Sequence, residues 1–213
     1  MFPSRLQNQL LKKNIQPHFI MNTLTSLMEW VEEAPRESVH FIEALSKEFE
    51  VMSEIAEEQL IPIVKEVELC EHHVRIMRFR KEIDYVFETD GLDYEQMIPP
   101  AVIHTLVENA LTHQEPDANN QLRLQLLYRE WSKDEYISST SFKEDGNARP
   151  CKIYELQSFG KPLSGNATAQ QRKGKGGTGL KYIRSRLRES YGDNWKLESG
   201  PYKDGWSSRI ILY

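Results

Sequence analysis

The chain has 213 residues and a mass of 24.9 kDa, of which 39% are hydrophobic and 28% charged, a composition typical of a globular domain rather than a disordered chain. Its 27 Lys and Arg against 32 Asp and Glu give a net charge of -5, which argues against a general nucleic-acid binder. No segment reaches the roughly 20 apolar residues of a membrane span, and Cys70 and Cys151 suggest no disulfide framework.

Two helical patterns predict a hairpin in residues 1–60. No glycine occurs from Leu6 to Glu58, and apolar residues recur at helical spacing on both sides of Pro35. The second helix has an apolar stripe of Val39, Ile42, Leu45, Phe49, Met52 and Ile55. Because two such helices cannot bury both of their stripes alone, we expect the hairpin to complete its core by forming a homodimer.

Residues 61–213 mix helical and strand patterns. We predict helices over residues 63–80, 100–113 and 180–191. We predict strands over residues 83–89, 121–131, 136–141, 151–159, 195–199 and 207–213. The irregular alternation predicts an α+β fold, in which a mixed sheet carries its helices on one face.

Charge is unevenly distributed. Residues 43–71 hold nine acidic residues and two lysines, which indicates a solvated helical face. Residues 161–188 hold eight basic residues and no acidic one, and they overlap a glycine-rich loop, which favours a polyanionic ligand there.

The first motif is Pro-His-Phe-x-x-Asn at residues 17–22. A proline inside a helix removes a hydrogen bond and bends the chain, which would expose His18. A neutral imidazole nitrogen can act as a nucleophile, and Asn22, one turn further along, would orient the ring. Taken alone, a single histidine is more often a structural or surface residue.

The second motif places Glu108, Asn109 and His113 within an apolar helix. Asn109 and His113 are four residues apart and share one face. An amide oxygen beside a carboxylate suits a magnesium ion that also contacts nucleotide phosphates. A hydrogen-bonded core helix is the structural alternative.

The third motif is the glycine-rich loop at residues 173–180, which contains Gly174, Gly176, Gly177 and Gly179. Its backbone N–H groups can approach a phosphate closely, and the following helix directs its positive end at the same place. The loop is neither a Walker A motif nor a Rossmann turn, and a flexible linker is the structural alternative.

The remaining histidines match no motif. We expect His72 and His73 at the surface of the third helix, and we assign no role to His40 or His104. Since consecutive helical residues point in different directions, His72 and His73 predict no zinc site.

Together, the three motifs in this order resemble the LytS-like sensor histidine kinases, membrane-tethered bacterial receptors whose ATP-binding domain is of the kind also found in gyrase and MutL. The resemblance extends over essentially the whole chain and includes the pair Arg78-Phe79 at the end of the third helix. It implies a dimerisation and phosphotransfer hairpin in residues 1–60. It also implies an α/β sandwich that binds ATP and catalyses the transfer in residues 61–213.

The resemblance implies roles for the motif residues. His18 would be the phosphate acceptor with Asn22 beside it, and Glu108 would be the polarising carboxylate. Asn109 would bind Mg²⁺, and His113 would lie near the phosphates of ATP. The lid over ATP would contain four consecutive residues, Gly177, Thr178, Gly179 and Leu180.

The chain departs from the family pattern in three places. The family's adenine-binding Asp or Asn corresponds to Ser158, two residues before Gly160, and losing that charged contact predicts a cost of about 1.5–3 kcal/mol in nucleotide binding. Residues 127–151 are longer than the family norm. The family's usual Phe-Leu-Phe-Asn after the histidine is Phe19-Ile20-Met21-Asn22 in this chain. Many other histidine kinases have an acidic residue directly after the histidine, where this chain has Phe19, so Glu108 or solvent would accept the proton of the imidazole.

The implied function is that of a sensor histidine kinase of a two-component system. It would autophosphorylate on His18 using ATP and Mg²⁺ and pass the phosphoryl group to an aspartate of a response regulator. The parent protein would be anchored in the inner membrane upstream of residue 1, with this part in the cytoplasm and no direct nucleic-acid contact. One alternative is a degenerate, dimeric interaction module with weak or no ATP binding, which Ser158 favours. Another is a gyrase-like or MutL-like ATPase, which would leave His18 without a role.

Overall fold

The computed structural model describes residues 34–81, 83–131, 151–162, 178–203 and 205–213, together with Leu27 and Val31. The helices in these ranges are α1 (Pro35–Ile55), α2 (Ile63–Lys81), α3 (Val102–His113) and α4 (Thr178–Tyr191). The longer strands are β2 (Asp84–Asp90), β5 (Gln121–Trp131), β6 (Cys151–Phe159), β8 (Trp195–Tyr202) and β9 (Gly205–Leu212). The short strands are β1 (Ile61–Pro62), β3 (Met97–Ile98), β4 (Gln114–Glu115) and β7 (Lys161–Pro162).

The five longer strands form one mixed sheet in the order β2-β5-β6-β9-β8. Strand β2 pairs with β5 in parallel, and the remaining pairs are antiparallel. The short strands form two separate antiparallel pairs, β1 with β3 and β4 with β7. The predicted α+β class with a mixed sheet is therefore confirmed.

The core lies between the helices and one face of this sheet. Alternate residues of β5 are buried there, from Leu122 through Leu124 and Leu126 to Tyr128. They belong to the same apolar cluster as residues of α2, α3 and α4, such as Cys70, Val107 and Ile183. The helices thus cover one face, as the sequence pattern predicts.

Helix α1 begins with Pro35 in its first turn, where the missing N–H costs no helical hydrogen bond. Its buried stripe consists of Ser38, Phe41, Ala44, Glu48, Val51, Met52 and Ile55. Val39, Ile42 and Phe49 are 53%, 42% and 38% exposed, so only part of the predicted apolar stripe faces the core of this chain. The end of α1 joins the main core through Val51, Met52 and Ile55.

The other predicted elements agree with the structure to within a few residues at each end. The first predicted helix and the strand predicted over residues 136–141 lie outside the described residues, and the division at residue 60 remains a prediction. Cys70 and Cys151 are free and buried. Among the described helices, none combines the length and apolar character that a membrane crossing requires.

Candidate functional site

The start of α3 is fixed by a residue on a different helix. Ala101, which precedes α3, has a φ of 59° and offers no side-chain cap. The carboxyl group of Glu66, on α2, accepts hydrogen bonds from the backbone N–H groups of Ala101, Ile103 and His104, the last two at 2.8 and 2.9 Å. Two of the N–H groups that helical geometry leaves unpaired in the first turn are thereby satisfied, and α3 is held in a defined position.

Asn109 of α3 and Gly179 of α4 lie in direct contact. A Cβ atom placed on Gly179 would stand 3.2 Å from both Oδ1 and Nδ2 of Asn109 and 3.1 Å from Cγ2 of Thr105. A side chain at position 179 would therefore fit only if Asn109 or Thr105 shifted by a few tenths of an ångström. The contact brings the second and third sequence motifs together at the N-terminal end of α4, where backbone N–H groups are directed outward.

The other two polar residues of the second motif lie around Asn109. Glu108 is half-buried, and His113 is exposed in the last turn of α3. Thr178 is the first residue of α4, and Leu180 is half-buried in its first turn. His18, Asn22 and Gly177 lie outside the described residues.

Ser158 is buried in β6 and is part of a hydrogen-bond chain. Its Oγ accepts a hydrogen bond from Nε2 of Gln114 at 2.5 Å and donates one to the carbonyl oxygen of Trp206 at 3.1 Å. Gln114 follows α3 directly, so this bond connects the helix that carries Asn109 to the central sheet. Sequence reasoning missed Gln114, and apart from its position after His113 the sequence carries no signal for it.

Gly160 lies where β4 and β7 pair beside the main sheet. A Cβ atom on Gly160 would stand 2.6 Å from the carbonyl oxygen of Glu115 and 2.4 Å from Cδ1 of Leu122. A backbone oxygen cannot move as a flexible side chain can, so only glycine fits here. This close approach places Ser158 and Gly160 next to the end of α3.

Three basic residues of α4 are exposed to solvent, and one is buried. Lys181, Arg184 and Arg188 are exposed, whereas Arg186 is 4% exposed. The Nη2 group of Arg186 donates a hydrogen bond to the carbonyl oxygen of Glu58 at 2.8 Å. The expectation that the basic stretch 161–188 forms a positive lid is therefore wrong for Arg186, which connects α4 to the segment after α1.

The expectation that His73 lies at the surface is also wrong. His73 is 7% exposed, and its Nδ1 lies 3.0 Å from Oε1 of Glu48. Burial alone raises the pKa of the Glu48 carboxyl group, but the charge of His73 and hydrogen bonds from His104 and His73 outweigh it, so the pKa lies well below its ordinary value. The acidic segment 43–71 is thus not wholly a solvated face, since Glu48 and Glu66 are both buried.

A surface depression formed by described residues lies on the opposite face of the sheet. It has a volume of about 370 Å³. Its lining residues are Glu88, Asp117, Gln121, Arg123, Gln125 and Phe159. None of the site residues predicted from the sequence lines it, so the candidate site is the junction of α3, α4 and the end of β6.

Known proteins with similar sequences are sensor histidine kinases. The histidine kinase family model matches residues 6–84. The sensor protein LytS of Oceanobacillus iheyensis is 30% identical over 105 residues, which are 48% of this chain and 18% of that protein. The sensor protein LytS of Enterococcus faecalis is 23% identical over 203 residues, which are 89% of this chain and 32% of that protein. The chain is similar to sensor histidine kinases of the LytS type.

The LytS-like resemblance of the motifs is confirmed by these relatives. The chain spans between 18% and 32% of the length of the two LytS proteins. Among solved structures, the histidine kinase domain of the blue-light activated kinase EL346 from Erythrobacter litoralis is 14% identical. That match covers 99% of this chain and 93% of that one, with a TM-score of 0.46.

Proposed function

We propose that this chain is the kinase core of a two-component sensor, which transfers the γ-phosphoryl group of ATP to His18. The observation that supports this best is the contact between Asn109 and Gly179. It joins a carboxamide oxygen, suited to Mg²⁺, with the N-terminal end of a helix, suited to phosphate.

The residues at this junction fit a magnesium–nucleotide complex. Asn109 would supply an oxygen ligand, with the half-buried Glu108 beside it, and the absent side chain at Gly179 leaves room for a phosphate near the α4 backbone. His113 would contact the phosphates, and Ser158 and Gly160 would face the base. Bound magnesium would supply positive charge that offsets the negative charge developing on the transferred phosphoryl oxygens.

His18 would supply the nucleophile. The unprotonated imidazole nitrogen forms the new N–P bond as the bond between the γ-phosphorus and the bridging oxygen of ADP breaks, and the proton on the other ring nitrogen leaves. Glu108 or solvent would accept the proton, and Asn22 would hold the ring in the reactive orientation. His18 would then pass the phosphoryl group to an aspartate of a response regulator.

The exposed part of the α1 stripe supports a homodimer. Val39, Ile42 and Phe49 lie on one face of α1 and present apolar surface to solvent in the single chain. A second copy would cover this face and pair the helices of the two chains. The LytS relatives are sensor proteins, and we propose that the parent of this chain is likewise a membrane receptor with this region in the cytoplasm.

The decisive experiment incubates the chain with γ-labelled ATP and Mg²⁺. The parent protein should acquire an acid-labile label, and the variants His18→Ala and Asn109→Ala should not. The variant His40→Ala is the matched control, because His40 is an exposed histidine that belongs to none of the three motifs.

The outcomes separate the competing functions. Label on His18→Ala would mean that His18 is not the acceptor. A parent that releases phosphate without acquiring label would be an ATPase that uses water. A parent that binds no nucleotide, measured by calorimetry, would be an interaction module rather than a kinase.

A further inference from the structure

Three buried side chains converge from three helices. Glu48 of α1, His73 of α2 and His104 of α3 are 8%, 7% and 3% exposed. One potential ligand atom from each lies within 4.8 Å of the other two. The two imidazole rings meet at an interplanar angle of 80° with centroids 5.0 Å apart.

The two histidines contact the same carboxylate oxygen. Nδ1 of His73 lies 3.0 Å from Oε1 of Glu48, and Nε2 of His104 lies 3.2 Å from it. The second oxygen, Oε2 of Glu48, is buried and has no hydrogen-bond partner among the described residues. Buried polar atoms nearly always have a hydrogen-bond partner. The unpaired Oε2 therefore indicates that a bound ligand, rather than a protein group, is its partner.

We propose that Glu48, His73 and His104 form a binding site for a divalent transition metal ion, Zn²⁺ in the first instance. The ligands would be Nδ1 of His73, Nε2 of His104 and both oxygens of the Glu48 carboxylate. This arrangement supplies four donor atoms and gives the unpaired Oε2 a partner.

The distances and donor types agree with this assignment. In a site near tetrahedral geometry, Zn–N and Zn–O bonds of about 2.0–2.2 Å place ligand atoms of different side chains roughly 3.3–3.5 Å apart. The two observed N···O distances, 3.0 and 3.2 Å, need only a small expansion to reach this value. Two imidazoles favour zinc and other borderline ions over magnesium or calcium, which prefer oxygen ligands.

The site is separate from the proposed nucleotide site, although both involve α3. His104 faces Glu48 on α1, whereas Asn109 faces Gly179 on α4. A metal held by His104 would fasten α3 to α1 and α2. The inference therefore does not depend on the kinase proposal, and either one can fail without the other.

The test is a Co²⁺ titration of the full, metal-free and tag-free chain. Co²⁺ replaces Zn²⁺ in such sites and, when four-coordinate, absorbs strongly in the visible region. We expect saturation at one Co²⁺ per chain, loss of the absorption on adding Zn²⁺, and no loss on adding a hundredfold excess of Mg²⁺. A folded parent, checked by circular dichroism, that shows no saturable absorption would overturn the proposal.

Variants locate the ion. His73→Gln and His104→Gln should weaken Co²⁺ binding at least tenfold, and Zn²⁺ should raise the unfolding temperature of the parent but not of either variant. His72→Gln is the matched control, because His72 is the neighbour of His73 outside the cluster and should leave binding unchanged. Equal Co²⁺ binding by the parent and both cluster variants would place the ion elsewhere and refute the assignment.

Discussion

The α-carbon of Gly179 lies so close to the carboxamide of Asn109 that a methyl group on it would stand 3.2 Å from both Oδ1 and Nδ2. The two residues are 70 positions apart in sequence and come from different motifs. Because these two residues are in contact, the second and third sequence motifs form one candidate site. The first prediction tests this contact.

Gly179→Ala should weaken binding of Mg²⁺–ATP at least fivefold, because the new methyl group displaces the Asn109 side chain. The change in unfolding free energy should stay within about 1 kcal/mol, since the helical preference of alanine offsets the crowding. Isothermal titration calorimetry and urea unfolding measure the two quantities. Gly200→Ala is the control, because no atom lies within 4 Å of a Cβ there, and unchanged ATP affinity in Gly179→Ala would contradict the proposed site.

Glu66→Gln should lower the unfolding free energy by about 2–3 kcal/mol, because the glutamine retains one acceptor oxygen and turns an NH₂ group toward backbone N–H donors. The donors concerned belong to Ala101, Ile103 and His104 at the start of α3. Denaturant unfolding measures the loss. The control is Glu68→Gln, a partly exposed carboxylate on the same helix, which should cost less than about 1 kcal/mol. Equal costs for the two variants would mean that Glu66 does not cap α3.

Ser158→Ala should lower the unfolding free energy by about 1–3 kcal/mol, because it leaves Nε2 of Gln114 without its acceptor inside the protein. Its ATP affinity should fall less than threefold, since the Ser158 hydroxyl directs its proton at the Trp206 carbonyl group rather than toward a ligand. Thermal unfolding and calorimetry give both values. Ser199→Ala, which removes a hydroxyl pair with Ser208 at a more exposed position of the sheet, should cost less. A large loss of ATP affinity in Ser158→Ala would show that the hydroxyl contacts the nucleotide directly.

Both cysteines should resist alkylation in the folded protein. Burial raises the pKa of the Cys70 thiol well above its ordinary value and also raises that of Cys151. Because only the thiolate reacts, both residues should be labelled far more slowly than an exposed cysteine at pH 7 and also at pH 9, where an exposed cysteine is mostly thiolate. Iodoacetamide labelling followed by mass spectrometry tests this, and both residues should react promptly in guanidinium chloride. Rapid labelling of Cys70 without denaturant would mean that α2 opens locally.

Ile42→Glu should weaken the proposed homodimer at least tenfold, because it places a charge in the middle of the exposed apolar face of α1. The fold of a single chain should be unaffected, since Ile42 is 42% exposed. Light scattering over a range of concentrations measures the association. His40→Glu adds a charge to the same helix beside this face and should change dimerisation little. A parent that stays monomeric at tens of micromolar would end the dimer proposal.

Local patterns predicted the elements well, because helices and strands of this chain follow ordinary periodicity. The extent of β6 was predicted to the residue, and α2 to within one. The glycine and asparagine motifs also pointed to a shared site, which the Gly179–Asn109 contact supports.

The sequence does not show which face of α1 packs against the core. Two stripes at helical spacing run along this helix, and the one that the sequence pattern selects is exposed at Val39, Ile42 and Phe49. Glu48 lies on the other stripe, between Ala44 and Val51, and this position was a usable signal that it is buried. Its partners His73 and His104 come from distant segments, so only the tertiary structure shows that the three residues meet.

The hydrogen bond from Arg186 to the carbonyl oxygen of Glu58 joins groups 128 residues apart in the chain. During synthesis the Glu58 carbonyl group can accept this hydrogen bond only after 128 further residues have been added, which takes roughly 6–26 s at 5–20 residues per second. For that time the end of α1 has no α4 to pack against. Until then, the surface around Glu58 is exposed to contact with other nascent chains on the same messenger RNA. Slow translation through residues 178–191 would lengthen this exposure.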